Sequence, residues 1–520
     1  MKKKLIINST PPFIPPQRGT FLAFSKLIFK FSFILFFIGI ISISFSQTTI
    51  PGLNDLNKDS LLKTVTILSS KDFDGRNPGT LGYEKAASFM SAQFKKIGLK
   101  PMGDSSYYQF LTVEGNEIIA PCKLNRIENS KIAKEYKLGD DFVCRGFTGS
   151  GKISAPVVFC GYGIYKPELG YDDYENIDVK NKIVMIFKPN PKWHINDSTW
   201  PDANERSKGL VARQHRALGI MYVSMPNDEK PQKTIGSTLH GKGKQIETFP
   251  QIHISLAAAE EFLSKSNYTL SKLQTLIDSL KKPHSLETWF DADLDINANY
   301  KSEVRTENLI GYIPGSDSLL KNQYIIIGAH LDHVGSQGGQ IFFPGANDNA
   351  SGSAAVLEIA KTFVKNNIKP KRSLIFILFA SEEQGLMGSE FCADHLPVPV
   401  DSVIAMINMD CIGFGDSIQI GNGKSTPLLW NMIKAADSLS SNQMVTRTWN
   451  NGGADLGAFH KKGIPGAYFV TTNSYVHLHC ITDTPETMNG PLFENITRLA
   501  YITTYRLAMG EYKKENVLKE

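Results

Sequence analysis

Four short apolar runs in the C-terminal half of the chain restrict its possible folds more than any other feature. Tyr324 to Ala329, Leu374 to Ala380, Val403 to Met409 and Ala467 to Val470 contain no charged residue and are bounded by polar or glycine-containing segments. They are too short for ordinary helices, and apolarity that is continuous rather than alternating marks strands buried on both faces. Such strands belong to an α/β sheet covered by helices on each side. A small-residue turn, Gly345-Ala346-Asn347-Asp348-Asn349-Ala350-Ser351-Gly352, follows the first run and feeds a helix of roughly Ser353 to Lys365.

Each run ends at, or a few residues before, a side chain that can bind metal. His330 follows the first, Glu383 the second, Asp410 the third and His479 the fourth, and Asp348 lies in the turn between the first two. In open α/β sheets ligands gather beyond the carboxyl ends of the strands, where all five residues fall. Two imidazoles and three carboxylates form an oxygen and nitrogen donor set that suits zinc without a thiolate. Five ligands exceed the three that a single catalytic zinc takes, and one carboxylate bridging two ions removes the excess. A pair of zinc ions roughly 3.5–4 Å apart is a known design for hydrolysis. Glu382, beside a ligand, offers a carboxylate free to take a proton from water. Asp332, two residues from His330 on an extended segment, is placed to orient that imidazole.

In order, His330-Leu331-Asp332-His333, the 345–352 turn, Ser381-Glu382-Glu383-Gln384-Gly385, Asn408-Met409-Asp410 and His479-Cys480-Ile481-Thr482-Asp483-Thr484 resemble the motifs of the co-catalytic di-zinc aminopeptidases. That family also contains glutamate carboxypeptidase, transferrin receptor and glutaminyl cyclase relatives. The resemblance covers about Leu61 to Ala120 and Asn308 to the C-terminus. It implies the zinc-exopeptidase fold, a mixed, mostly parallel sheet flanked by helices. It also implies that His330 and Asp410 hold one zinc, Glu383 and His479 the other, that Asp348 bridges them, and that Glu382 is the general base. A cis peptide between Asp348 and Asn349 is a further implication. Two departures stand out: Leu478 and Cys480 flank His479 where relatives have Tyr-His-Thr-Pro, and Leu456 replaces a His that often follows the residue at Asp455. Neither removes a ligand.

Taken singly, these residues have ordinary explanations. His333, His460 and His477 read as surface or hydrogen-bonded histidines. Asp348 alone would pass as a helix cap, and Glu382-Glu383 alone as a solvated loop. Their order behind successive strands is what favours a metal centre.

The remaining sequence sets the boundaries. Residues 1–46 carry six Lys or Arg and no acid, so the formal net charge of +5 becomes −1 for the rest, and nucleic-acid binding has no electrostatic support. A basic start, an apolar run from Phe31 to Phe45, and Ser44 and Ser46 ahead of Gln47 read as a signal peptide over 1–46, hence an exported protein in the periplasm, at the cell surface or outside the cell. Membrane attachment is expected only if this leader is retained as an anchor. Peptides are the expected partners. Six cysteines (Cys122, Cys144, Cys160, Cys392, Cys411, Cys480) show no zinc-finger spacing.

The expected catalytic domain has two parts, 47–129 and 284–520, separated by an insertion over 130–283. In the first part, Asp74-Gly75-Arg76 precedes an amphipathic helix near Tyr83 to Ile97. In the insertion, Val157 to Ile164, Lys182 to Phe187 and Gly219 to Val223 read as strands and Glu205 to Leu218 as a helix. This segment resembles the β-rich protease-associated domain often inserted in this family, which implies a role in shaping access to the cleft or in binding extended polypeptide. Together these readings lead to an exported di-zinc metallo-exopeptidase, in first place an aminopeptidase. A carboxypeptidase or dipeptidase on the same chemistry is the alternative, and a non-catalytic peptide-binding relative is the reading from another class.

Overall fold

The computed structural model describes residues 50–195, 200, 204–241 and 243–518. The expected leader lies outside them. The apolar runs emerge as strands of one large sheet, whose principal members are β1 (Tyr108–Glu128), β2 (Phe142–Cys144), β3 (Gly151–Cys160), β4 (Ile183–Phe187), β5 (Gly219–Val223), β6 (Gln251–Ile254), β7 (Ser285–Ile313), β8 (Tyr324–His330), β9 (Ser373–Phe379), β10 (Val403–Met409), β11 (Ile418–Gly421) and β12 (Gly466–Thr471). Their order across the sheet is β11-β12-β10-β8-β9-β7-β3-β4-β5-β6-β2.

Two parallel blocks make up this order. In the first, β12, β10, β8 and β9 run parallel, with β11 antiparallel at the edge. In the second, β3, β4, β5 and β6 run parallel, with β2 antiparallel at the other edge. The 29-residue β7 joins them: its C-terminal end pairs antiparallel with β9 and its N-terminal half with β3. Strand β1 lies antiparallel along β7 over much of its length. The sheet is thus mixed and mostly parallel.

Burial explains why the four runs lack polar residues. Every residue of β9, β10 and β12 is buried. Alternate side chains enter opposite faces, so Ile325 and Ile327 join one core while Ile326 joins the other. Helices Lys58–Leu68, Leu81–Ile97, Ser351–Lys365, Pro427–Ser438 and Gly490–Ala508 pack on the first face, and Met387–Asp394 and Leu456–Lys461 on the second. Each of these buried aliphatic side chains contributes about 1.5–3 kcal/mol by leaving water. The helix expected near Tyr83 starts at Leu81 and buries Ala86, Ala87, Met90 and Phe94. A separate core, to which Ile118, Cys122 and Leu124 of β1 also contribute, packs strands β3 to β6 with helices Leu256–Leu263 and Leu270–Leu280. All six cysteines are buried and unpaired.

Candidate metal centre

The carboxyl ends of β8, β9 and β10 lie side by side, so the residues that follow them converge. His330 is the last residue of β8, Asp410 directly follows β10, and Glu382 and Glu383 follow β9 after Ala380 and Ser381. Sharp turns present these side chains. Ser381, Cys411 and His479 have φ of 55°, 53° and 54°, a left-handed backbone that bulky residues seldom adopt and that clusters at functional sites. Asp348 arrives from the turn before helix Ser351–Lys365, with a cis peptide to Asn349. Gly345 opens that turn at φ 59°, and a Cβ there would meet the Asp348 carbonyl oxygen at 2.4 Å and the His333 ring at 2.5 Å.

Asp348 lies between two imidazoles. Its Oδ1 is 3.3 Å from His330 Nε2 and its Oδ2 is 3.2 Å from His479 Nε2. His330 Nε2 is also 3.4 Å from Asp410 Oδ1, and His479 Nε2 is 2.8 Å from Glu383 Oε2. The five residues expected as ligands therefore form two half-sites that share one carboxylate. Glu382 groups with His330 and Asp410 and is partly open to the cleft. Asp332 is fully buried: its carboxylate accepts the N–H groups of Glu382 and Glu383 at 3.1 and 3.2 Å and lies 3.6 Å from His330 Nδ1. Its hydrogen bonds thus fix the loop that carries both glutamates.

Packing these carboxylates together shapes their protonation. Burial works against a charged His479, but Glu383 and Asp348 outweigh it and raise its pKa to about 10. Burial would likewise raise Glu383, yet His479 and His333 hold it at about 2. The Glu382 carboxyl is pushed well above its ordinary range by burial and by Asp455, Glu383 and Asp410, against the pull of His330. Both imidazoles thus draw protons to a cluster rich in carboxylates, and a divalent cation satisfies the same field. The donor set of imidazole nitrogens and carboxylate oxygens fits zinc. The adjacent Cys411 thiol is raised by burial and by Asp410, so it stays protonated and is no thiolate donor.

Several participants were not read as such from the sequence. His333, expected at the surface or in a hydrogen bond, is buried, with Nδ1 3.0 Å from Glu383 Oε1 and 3.7 Å from Asp348 Oδ2. Asp483 accepts the N–H groups of Asn347 and Asp348 at 2.9 and 3.0 Å and pins the bridging turn. Tyr468 donates its hydroxyl to Asp410 Oδ2 at 3.0 Å. Arg76, fully buried, donates to the carbonyls of Leu68, Leu331, Pro344 and Gly345 and so ties two ligand-bearing loops to the first helix. Their positions inside the quoted motifs were a signal, but residue type alone did not tell support from ligand. His477 instead contacts Thr482 Oγ1 at 2.9 Å, and neither it nor His460 joins the donor groups found among the described residues.

The segment 308–503 matches the model of peptidase family M28. This part of the chain belongs to that family. Beyond the M28 segment, the whole fold is shared with solved structures: an aminopeptidase from Aneurinibacillus sp. strain AM-1 superimposes with a TM-score of 0.61 at 21% identity, covering 90% of this chain and 97% of the other. A peptidase M28 precursor from Shewanella amazonensis SB2B gives 0.62 at 18% identity, covering 90% and 99%. In sequence, the chain is 27% identical over 206 residues to a probable leucine aminopeptidase of Trichophyton verrucosum, covering 38% of this chain and 57% of the relative. It is 25% identical over 325 residues to a glutamate carboxypeptidase 2 homolog of Caenorhabditis briggsae, covering 53% and 39%. The chain thus spans about half the length of these curated relatives.

Proposed function

We propose that the protein is an exported metallo-exopeptidase with two zinc ions that removes residues from peptide N-termini. The observation that carries this reading is Asp348, whose two oxygens lie 3.3 and 3.2 Å from imidazoles of opposite half-sites. His330 and Asp410 would hold one ion, Glu383 and His479 the other, and Asp348 both. Bound there, zinc supplies the Lewis acidity that polarises the scissile carbonyl and lowers the pKa of water.

The side chains do the rest. Glu382 is the general base: it is partly exposed beside His330 and Asp410 without being one of the expected ligands, and its carboxylate would receive the water's proton and pass it to the leaving amine. Asp332 orients it through the Glu382 N–H. Residues 130–283 are read as the protease-associated insertion that shapes the cleft, and 1–46 as the export signal.

The test compares the zinc-loaded chain on leucyl peptides with a free and an acetylated amino terminus. Cleavage of the free form alone, with two zinc ions per chain by mass spectrometry, is the expected result. Equal cleavage of both, with release from the carboxyl end, assigns a carboxypeptidase instead.

A further inference from the structure

A cavity of about 930 Å³ adjoins the metal centre, within the range of small-ligand sites. It shares a wall with the donor cluster. Leu478 and Cys480, on either side of His479, line it, as does Tyr475, whose hydroxyl lies 3.5 Å from that of Tyr468, the donor to Asp410.

The charge of this cavity is one-sided. Lys230, Lys233 and Arg447 line it, and no carboxylate does among the described residues. None of the three makes an ion pair with a described carboxylate. Arg447 is nonetheless positioned: its Nη2 donates to Gln419 Oε1 at 3.1 Å, and the Gln419 amide donates back to the Arg447 carbonyl at 3.1 Å. Gln419 is itself buried in β11, so the guanidinium is anchored to the sheet by a neutral group and keeps its charge for another partner. Lys233 also lines the cavity, on the 230–236 segment whose Gly236 N–H donates to the His479 carbonyl at 2.8 Å. Trp449 and Tyr475 add flat aromatic surface to the lining.

We propose that this cavity binds a substrate carboxylate close to the bond that is cut, held by Arg447 and Lys233. The proposal rests on the peptidase reading and adds the substrate class: peptides bearing an acidic residue, or a chain-terminal carboxylate, beside the scissile bond. A neutral side chain of equal size would take water from both cations and return no charged partner, which is how such a site discriminates.

The experiment measures kcat/KM of the zinc-loaded full chain on glutamyl and glutaminyl p-nitroanilides, which differ by one charge, and on one peptide as its C-terminal acid and amide. A preference of about 10-fold or more for the charged member of one pair is expected, as for a hydrogen bond to a charged group. The first pair reports an acidic side chain and the second a chain terminus. In the Arg447→Gln, Lys233→Gln double variant that preference should fall to about 2-fold, while Arg447→Lys should keep most of it. Absence of charge preference in both pairs overturns the proposal and leaves the peptidase reading standing. Calorimetric binding of free glutamate, glutamine and glutamine amide decides the case if no peptide is cleaved. Charge-selective binding lost in the double variant then upholds the carboxylate site without the peptidase reading, and equal binding of all three overturns both.

Discussion

The backbone N–H of Gly236 donates to the carbonyl of His479 across 2.8 Å, so a segment from the expected insertion holds the backbone of a residue in the candidate metal centre. Thr238, two residues on, donates its hydroxyl to the Glu383 carbonyl at 2.6 Å. One loop therefore braces both residues of the second half-site. A Cβ on Gly236 would meet the buried Phe343 ring at 2.8 Å. Gly236→Ala should displace the loop and weaken zinc binding by about 10- to 100-fold, the effect expected of an outer support. Zinc titration against a competing chelator measures it, and unchanged affinity would show that the loop is a passive neighbour.

Glu382 and Asp348 should respond differently to substitution. Glu382→Gln preserves size but removes the base, so both zinc ions should stay while kcat falls by about 10²–10⁴. Asp348→Ala should lower metal occupancy together with rate, because among the described residues no other carboxylate pairs with both His330 and His479. Metal analysis beside kinetics separates the two, and near-normal kcat in Glu382→Gln with zinc bound would refute the mechanism.

Asp483 offers a test of support without ligation. Burial raises its pKa to about 6, against His333 and the Asn347 and Asp348 N–H groups that favour its ionised form. Asp483→Asn turns one of two acceptors into a donor facing an N–H, which should release the 346–348 turn. Zinc affinity should drop by about 10-fold or more, read by isothermal titration, with far-UV circular dichroism unchanged.

A buried ion pair behind the same loop sets a pH dependence. Arg145 Nε lies 2.8 Å from Glu205 Oε2, and Arg145 Nη1 donates to the Ile235 carbonyl at 2.8 Å, next to Gly236. Burial would raise the Glu205 pKa, but Arg145 and Lys188 outweigh it and hold it below the ordinary value. A carboxylate depressed in the folded state stabilises above its unfolded pKa of about 4.3 and loses that contribution as pH falls through the folded value. Glu205→Gln should therefore destabilise by about 3–5 kcal/mol at pH 7, since Arg145 is left buried without its partner. The gap between the urea midpoints of wild type and variant should shrink as pH is lowered below about 4. A gap that does not change with pH would mean that packing rather than charge carries the effect.

Local sequence determined the strands and the chemistry that follows them. A strand buried on both faces must be apolar throughout, so β8, β9, β10 and β12 were visible as runs, and the residues after them as candidates for one sheet edge. The long β7 was not visible, because a strand that passes from one parallel block to the other, pairing with β1 as well, mixes buried and exposed positions and loses a single period. Tertiary structure alone decided which polar residues support the ligands. Asp483 lies 135 positions from Asp348, and His333 lies 50 from Glu383, and no spacing rule links such pairs. The same holds for the cavity, whose cations Lys233 and Arg447 come from segments far apart in the chain. Residue type and order fix what a side chain can do, but only chain crossing fixes what it faces.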